Sequence, residues 1–271
     1  MSVDLSIIPS KTAHQLVNFI KKTLNSSGFS KLVIGLSGGV DSATSIALAV
    51  KAIGAANIYP GVFPYGEMNE EGVVDTGLIL EKFQIPLKNI TKIDIKSLVD
   101  PVIVVSSRPG LEREQTKGPA LIDLRRGNIM ARMRMILLYD LSKKCNALVL
   151  GTENKTEYLL GYFTRFGDEA SDIEPIINLY KSQVKELATY LGVPWEIIEK
   201  PPTAGLWQGQ TDEGEFGFTY EEAEQILYLW HDKKYTKEAI IKNGFNKDIV
   251  EKVIKRVADN NFKHNLPYTL K

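Results

Sequence analysis

Leu32-Val33-Ile34-Gly35-Leu36-Ser37-Gly38-Gly39-Val40-Asp41-Ser42 passes from an apolar run into a glycine turn, and residues 43–53 continue it as a second, longer apolar run. Five apolar or small residues followed by tightly spaced glycines predict a buried strand ending in a sharp turn. The second run predicts a helix that Gly54 stops. A strand–turn–helix unit of this kind leaves unpaired N–H groups and the positive end of a dipole at the helix start, which is a site for phosphate. The hydroxyls of Ser37 and Ser42 add donors. Asp41 would repel a bare phosphate, so its presence points to a divalent cation between the two. The segment lacks the lysine of G-x-x-x-x-G-K-[ST] and is not G-x-G-x-x-G.

The strand–helix alternation continues outward from this unit. Residues 12–25 predict an amphipathic helix, 57–63 a strand, 70–83 a helix and 90–95 a strand. A long helix carries Met130, Met133, Leu137 and Leu141 and leads into the apolar strand 147–150. Residues 182–191 predict a further helix ended by Gly192 and Pro194, and 220–260 two or three more. Alternation of this kind predicts an α/β fold: a doubly wound parallel sheet with helices on both faces, and C-terminal helices packing on the body. The expected organisation is one domain over 1–271, with 219–271 as its helical extension. Residues 108–127 and 201–217 show no periodicity and are expected to be lids, binding loops or disordered segments.

Composition narrows the function classes. The 271 residues hold 33 basic and 33 acidic side chains, so no global field favours nucleic acid or an anionic membrane. No apolar run reaches the roughly 18 residues that span a bilayer. The single cysteine, Cys145, permits no internal disulfide and no Cys-x-x-Cys motif, which suits a reducing, cytoplasmic setting. Thr152 and Glu157 follow the strand 147–150 and so are expected at the carboxyl edge of the sheet, where open α/β sheets bind ligands. By spacing alone, Glu157 is either a partner of Asp41 at a cation or a solvated carboxylate on a helix's first turn.

The loop Ser37-Gly38-Gly39-Val40-Asp41-Ser42 resembles the Ser-Gly-Gly-x-Asp-Ser loop of the N-type ATP pyrophosphatases. Three further segments narrow the resemblance: Gly127-Asn128-Ile129-Met130-Ala131-Arg132-Met133-Arg134; Gly151-Thr152-Glu153-Asn154-Lys155-Thr156-Glu157 running on to Asp168 and to Asp172-Ile173-Glu174-Pro175; and Lys200-Pro201-Pro202-Thr203 with Gln210-Thr211-Asp212-Glu213. Together they look like the ammonia-dependent NAD synthetases, over roughly residues 32–267.

That resemblance implies a C–N-forming ligase, which makes an acyl-adenylate of deamido-NAD from ATP, releases pyrophosphate, and resolves the adenylate with ammonia. It implies ATP contacts at Gly35, Leu36, Ser37, Gly38, Gly39, Val40, Asp41, Ser42, Thr152, Lys181 and Thr203, and Mg²⁺ held by Asp41 and Glu157. It implies catalytic roles for Lys181 and, at the ammonium, Asp168. Deamido-NAD contacts are implied at Arg132, Arg165, Asp172, His264 and Asn265. Arg165 stands where the family often has lysine, and Asn265 where it has a cation. A homodimer is also implied. Cys145 lies just before a buried strand and is expected in the core, so the expected nitrogen donor is free ammonia or ammonia passed from a separate protein. Two other readings of the loop are a different adenylating pyrophosphatase, such as a GMP synthetase-like or tRNA-modifying enzyme, and a non-catalytic adenine-nucleotide binding module.

Overall fold

The computed structural model describes residues 3–106, 119–203, 205 and 210–265. Four parallel strands form its sheet: β1 (Leu32–Gly35), β2 (Ile58–Val62), β3 (Thr91–Lys92) and β4 (Leu148–Leu150), in the order β3-β2-β1-β4. Leu32 is in register with Ile58 on one side and with Leu148 on the other. Central β1 is buried over most of its length, as expected for a strand covered on both faces.

One face is covered by α1 (Pro9–Ser27), α2 (Val40–Ile53) and α7 (Lys181–Leu191), which pack on one another. Ile20, Leu24, Ile46, Leu48, Val184 and Leu187 meet Leu32, Ile34 and Ile58 there. Ile79 of α3 (Glu70–Lys82) joins this core. The opposite face is covered by α5 (Pro119–Cys145), with α4 (Lys96–Ser106) packed against it. Met130 meets Phe63, Ile95 and Val99, and Leu141 meets Val33.

The strand predicted over 90–95 shrinks to two residues. It lies at the sheet's edge, where Ile93 and Ile95 still donate single hydrogen bonds to the carbonyls of Val62 and Pro64 without extending a ladder. Two irregular segments are corrected in part. Residues 119–127 begin α5, with Pro119 at the start, where its missing N–H costs nothing. Gly127 is buried inside that helix, and packing outweighs its poor propensity. Within 201–217, a five-residue helix α9 (Asp212–Phe216) forms, capped by the Thr211 hydroxyl and closed by Gly217 at φ 70°; it is too short to show periodicity. Residues 107–118, 204 and 206–209 of those two predicted loops lie outside the described residues.

After α6 (Lys155–Leu160) and α8 (Trp195–Ile198), the C-terminal part holds α10 (Tyr220–Leu227), α11 (Lys237–Lys242) and α12 (Lys247–Asn260). They build a second core around Leu160, Tyr180, Ile226 and Val250. Buried Glu224 of α10 accepts hydrogen bonds from the Thr156 hydroxyl (2.9 Å) and the Ser182 N–H (3.2 Å), so one side chain ties α10 to the starts of α6 and α7. Among the described residues, no helix is long and apolar enough to cross a membrane.

Candidate functional site

β1 has neighbours on both sides, and the chain leaves it toward β2 but returns to it at β4. The carboxyl ends of β1 and β4 therefore open a crevice, the place where such sheets take ligands. Residues 37–42 and 151–157 meet there.

The turn after β1 uses its glycines for two separate reasons. Gly38 has φ +85°, a left-handed conformation that glycine adopts freely, and a Cβ there would stand 2.6 Å from the Gly72 carbonyl oxygen of α3. Gly39 caps α2 with no side-chain acceptor, so the first amides of α2 are left for a ligand. The hydroxyls shape the turn. Ser42 Oγ donates to the Gly39 carbonyl (2.9 Å), and Ser37 Oγ accepts from the Gly39 N–H (3.2 Å).

Asp41, on the first turn of α2, faces Lys181, the first residue of α7, and Glu157 of α6. Lys181 Nζ donates to Asp41 Oδ2 and to Glu157 Oε1, the latter at 3.1 Å. Asn154 binds the two carboxylate-bearing elements together: it is fully buried, its Oδ1 accepts from the Glu157 N–H (3.0 Å) as the cap of α6, and its Nδ2 donates to Asp41 Oδ1 (3.0 Å). Tyr220 lies under Lys181, with the ammonium 5.4 Å from its ring centre, and donates its hydroxyl hydrogen to Asp212 Oδ2 (2.9 Å).

Burial opposes a charge on Lys181, but Asp41 and Glu157 outweigh it and raise its affinity for a proton. Burial pushes the Glu157 carboxyl up to about 7, against the pull of Lys181. Asp41 and Glu157 offer hard oxygen donors that both reach Lys181 Nζ, beside the uncapped amides of α2. That donor set fits Mg²⁺ completed by phosphate oxygens and water.

The crevice widens into a cavity of about 1200 Å³, lined by residues 35–42 and by Thr152, Glu157, Lys181, Thr203, Arg132, Arg165 and Asp168. Arg132 donates twice to the Arg165 carbonyl oxygen (3.3 and 3.1 Å). The Arg165 guanidinium sits over the rings of Phe166 and Phe262, 5.1 and 5.9 Å from their centres. Asp168 opens to the cavity while protein crowds its other sides. This crowding raises its carboxyl, although the Thr164 N–H, which it accepts at 2.8 Å, works the other way. The Thr203 hydroxyl donates to the Gln210 carbonyl (2.8 Å) and accepts from the Gly205 N–H (3.1 Å), so it braces its own turn.

Three of the expected residues are not among those lining the cavity. Asp172 is exposed, and its Oδ2 accepts from the Val149 N–H (2.7 Å), which fixes it to the side of β4. His264 packs its ring on Tyr158 and Phe163, with centres 4.4 and 5.6 Å apart, and Asn265 donates to the Asn261 carbonyl (3.1 Å). The tight turn Asn261–His264 after α12 rotates each successive side chain by about a third of a circle, so the preceding residues face inward instead. Phe262 and Lys263 line the cavity, and Lys263 Nζ donates to the carbonyls of Gly161 (2.6 Å) and Phe163 (2.8 Å).

Sequence reasoning assigned no role to Asn154, Arg134, Lys200, Asp212 or Lys263. Asn154 was legible as a helix cap ahead of Glu157; the others required knowledge of which segments fold over the crevice.

Comparison with known proteins agrees with this architecture. The family model described as NAD synthase matches residues 12–267. An NH(3)-dependent NAD(+) synthetase of Fusobacterium nucleatum is 41% identical over 258 residues, covering 95% of this chain and 94% of that one. One from Thermococcus kodakarensis is 43% identical, covering 93% of each. Among solved structures, an NMN synthetase from Francisella tularensis superposes with a TM-score of 0.81 at 32% identity, over 98% of this chain and 100% of that one. The NH3-dependent NAD synthetase of Campylobacter jejuni, in complex with a nitrate ion, superposes with a TM-score of 0.78 at 28% identity, over 98% of this chain and 100% of that one. Asp41, Glu157 and Lys181 thus meet at the switch point of a parallel sheet in a chain that belongs to the NAD synthase family.

Proposed function

We propose that this chain amidates deamido-NAD with ammonia at the expense of ATP, forming NAD, AMP and pyrophosphate. The observation that carries the reading is the meeting of Asp41, Lys181 and Glu157 beside the uncapped amides of α2. A mere nucleotide binder has no use for two carboxylates and a buried cation at one end of a phosphate cradle.

In this mechanism the amides after Gly38 hold the β and γ phosphates, with Asp41 and Glu157 as the residues that would hold Mg²⁺. Mg²⁺ would supply charge neutralisation on the phosphate oxygens. The nicotinate carboxylate oxygen attacks the α phosphorus, the bond to the bridging oxygen breaks, and Lys181 stabilises the charge that builds up on the departing pyrophosphate. Arg132 and Arg165 line the way to the second substrate and suit its diphosphate. Asp168 holds ammonium by charge. Ammonia then attacks the acyl carbon, its proton is lost, and AMP leaves with the electron pair.

Cys145 supports ammonia over glutamine as the donor. Burial pushes its thiol up, the opposite of an activated nucleophile. We further propose a cytoplasmic enzyme, in keeping with that single free thiol, and a homodimer formed through the exposed apolar faces of α4 and α5.

The test is a product assay with MgATP, an ammonium salt and either deamido-NAD or nicotinate mononucleotide, the second because a structural relative is an NMN synthetase. NAD, AMP and pyrophosphate in equal amounts are expected with deamido-NAD. ADP and phosphate as products would overturn the reading, and turnover only with the mononucleotide would move it to that acceptor.

A further inference from the structure

The start of α3 touches both halves of the ATP-side cavity. Its Gly72 carbonyl abuts Gly38 so closely that no Cβ fits between them. Side chains from the same region reach the opposite wall, where Thr203 lies. Asp75 and Glu71 pair with Lys200, the latter at 3.3 Å. Asn69 Nδ2 donates to the Gly205 carbonyl (3.0 Å).

Asn69 also faces inward. Its Oδ1 accepts from the Tyr65 N–H (3.1 Å) and from Arg134 Nη2 (3.3 Å), while Arg134 Nε donates to the Phe63 carbonyl (3.0 Å). Two donors on one side of the amide and one acceptor on the other leave a single orientation that satisfies all three bonds. Gly205 is then gripped at both ends, its N–H by Thr203 and its carbonyl by Asn69.

We propose that Asn69 is a positioning residue for the nucleotide: it fixes the distance between the phosphate-binding turn and the Thr203 wall, and thereby sets ATP affinity. The proposal rests on ATP being a substrate, but not on which acceptor is amidated.

Asn69→Asp separates the two halves of the clasp. The carboxylate keeps both inward acceptor bonds, but its other oxygen meets the Gly205 carbonyl without a hydrogen to share. The experiment titrates MgATP calorimetrically against wild type and variant with no acceptor present, and follows hydrogen exchange in peptides covering 200–211 and 60–66. Losing one hydrogen bond predicts a 3- to 10-fold weaker Kd, on the order of one such bond's net worth. Exchange should be faster in 200–211 and unchanged in 60–66, and kcat at saturating ATP should fall less than twofold.

An unchanged Kd overturns the proposal, and so does equally faster exchange in both peptides, which would make Asn69 an ordinary structural residue. If the aspartate variant does not fold, Asn69→Ser, too short to reach Gly205 or the inward donors, replaces it with the weaker Kd as its readout, and an unchanged Kd again overturns the proposal. Failure of wild type to make NAD while it binds MgATP would sink the functional reading and leave this one standing.

Discussion

Lys181 is the side chain on which most of the site's electrostatics turn. Replacing it with methionine keeps its stem but leaves Asp41 and Glu157 facing each other without a cation. The expected loss is about 10²- to 10³-fold in kcat, since the proposed mechanism puts the lysine where charge develops and not where substrate is merely held. The Michaelis constant for ATP should move far less, and pyrophosphate release under single turnover checks which step has slowed.

A second residue-scale effect lies beside Thr152, in the segment after β4. Glu153 is 8% exposed, and its Oε1 has no hydrogen-bond partner. Burial, then the charges of Glu174 and Asp168, push its carboxyl up to about 10. The folded protein therefore keeps a proton that the unfolded chain releases near 4.5, so stability falls as pH rises between those values. Glu153→Gln removes the dependence. Melting curves should show the variant more stable than wild type at pH 8, by several kcal/mol, with most of that difference gone at pH 5. Equal stabilisation at both values would mean the carboxyl is not held neutral.

At the scale of elements, α6 shows how a short helix can be decisive. Six residues are too few to persist by propensity. Its cap, Asn154, supplies the missing bond to the Glu157 N–H and also reaches Asp41 on α2. Asn154→Ala removes both bonds from a fully buried position, and a loss of about 1–3 kcal/mol is expected by chemical denaturation. Activity should fall at least tenfold, because Glu157 and Asp41 lose their common spacer; unchanged kcat would show that Lys181 alone sets their spacing.

The same element shows what was legible in the sequence. Strand 147–150 and the glycine turn are local signals, so the loop 37–42, Thr152 and Glu157 were all expected at the sheet's carboxyl edge, where they stand. The C-terminal contact was not local. Which face of the turn after α12 meets the cavity depends on how α12 packs against α6, and Lys263 lines the wall where His264 and Asn265 were expected.

For the whole molecule, alternating strands and helices announced the parallel sheet, but not what lies outside it. Leu98, Val102 and Val105 recur at i, i+4 and i+7 on α4, and all are exposed. On α5, which packs against α4, Ile122 and Ile136 stand about four turns apart and are also exposed. Scattered exposed apolar residues are ordinary, but a stripe on α4 beside further exposed apolar residues on the helix packed against it is what a second subunit would cover. Both helices lie on the face of the sheet away from α1, α2 and α7, so two copies meeting there would pair through equivalent surfaces, as a closed two-fold dimer requires. The wild-type chain should therefore elute from gel filtration at twice the mass of one chain at micromolar concentration. Ile136→Glu together with Val105→Glu should give a folded monomer, since each change puts a charge on an exposed position and removes no core contact. Arg132 and Arg165 lie on the α5 side of the cavity, and if the partner subunit completes that end, the monomer should keep its MgATP affinity and lose affinity for the acceptor. Elution of wild type as a monomer at that concentration would refute the dimer, and a fully active monomeric variant would show that each subunit's site is complete by itself.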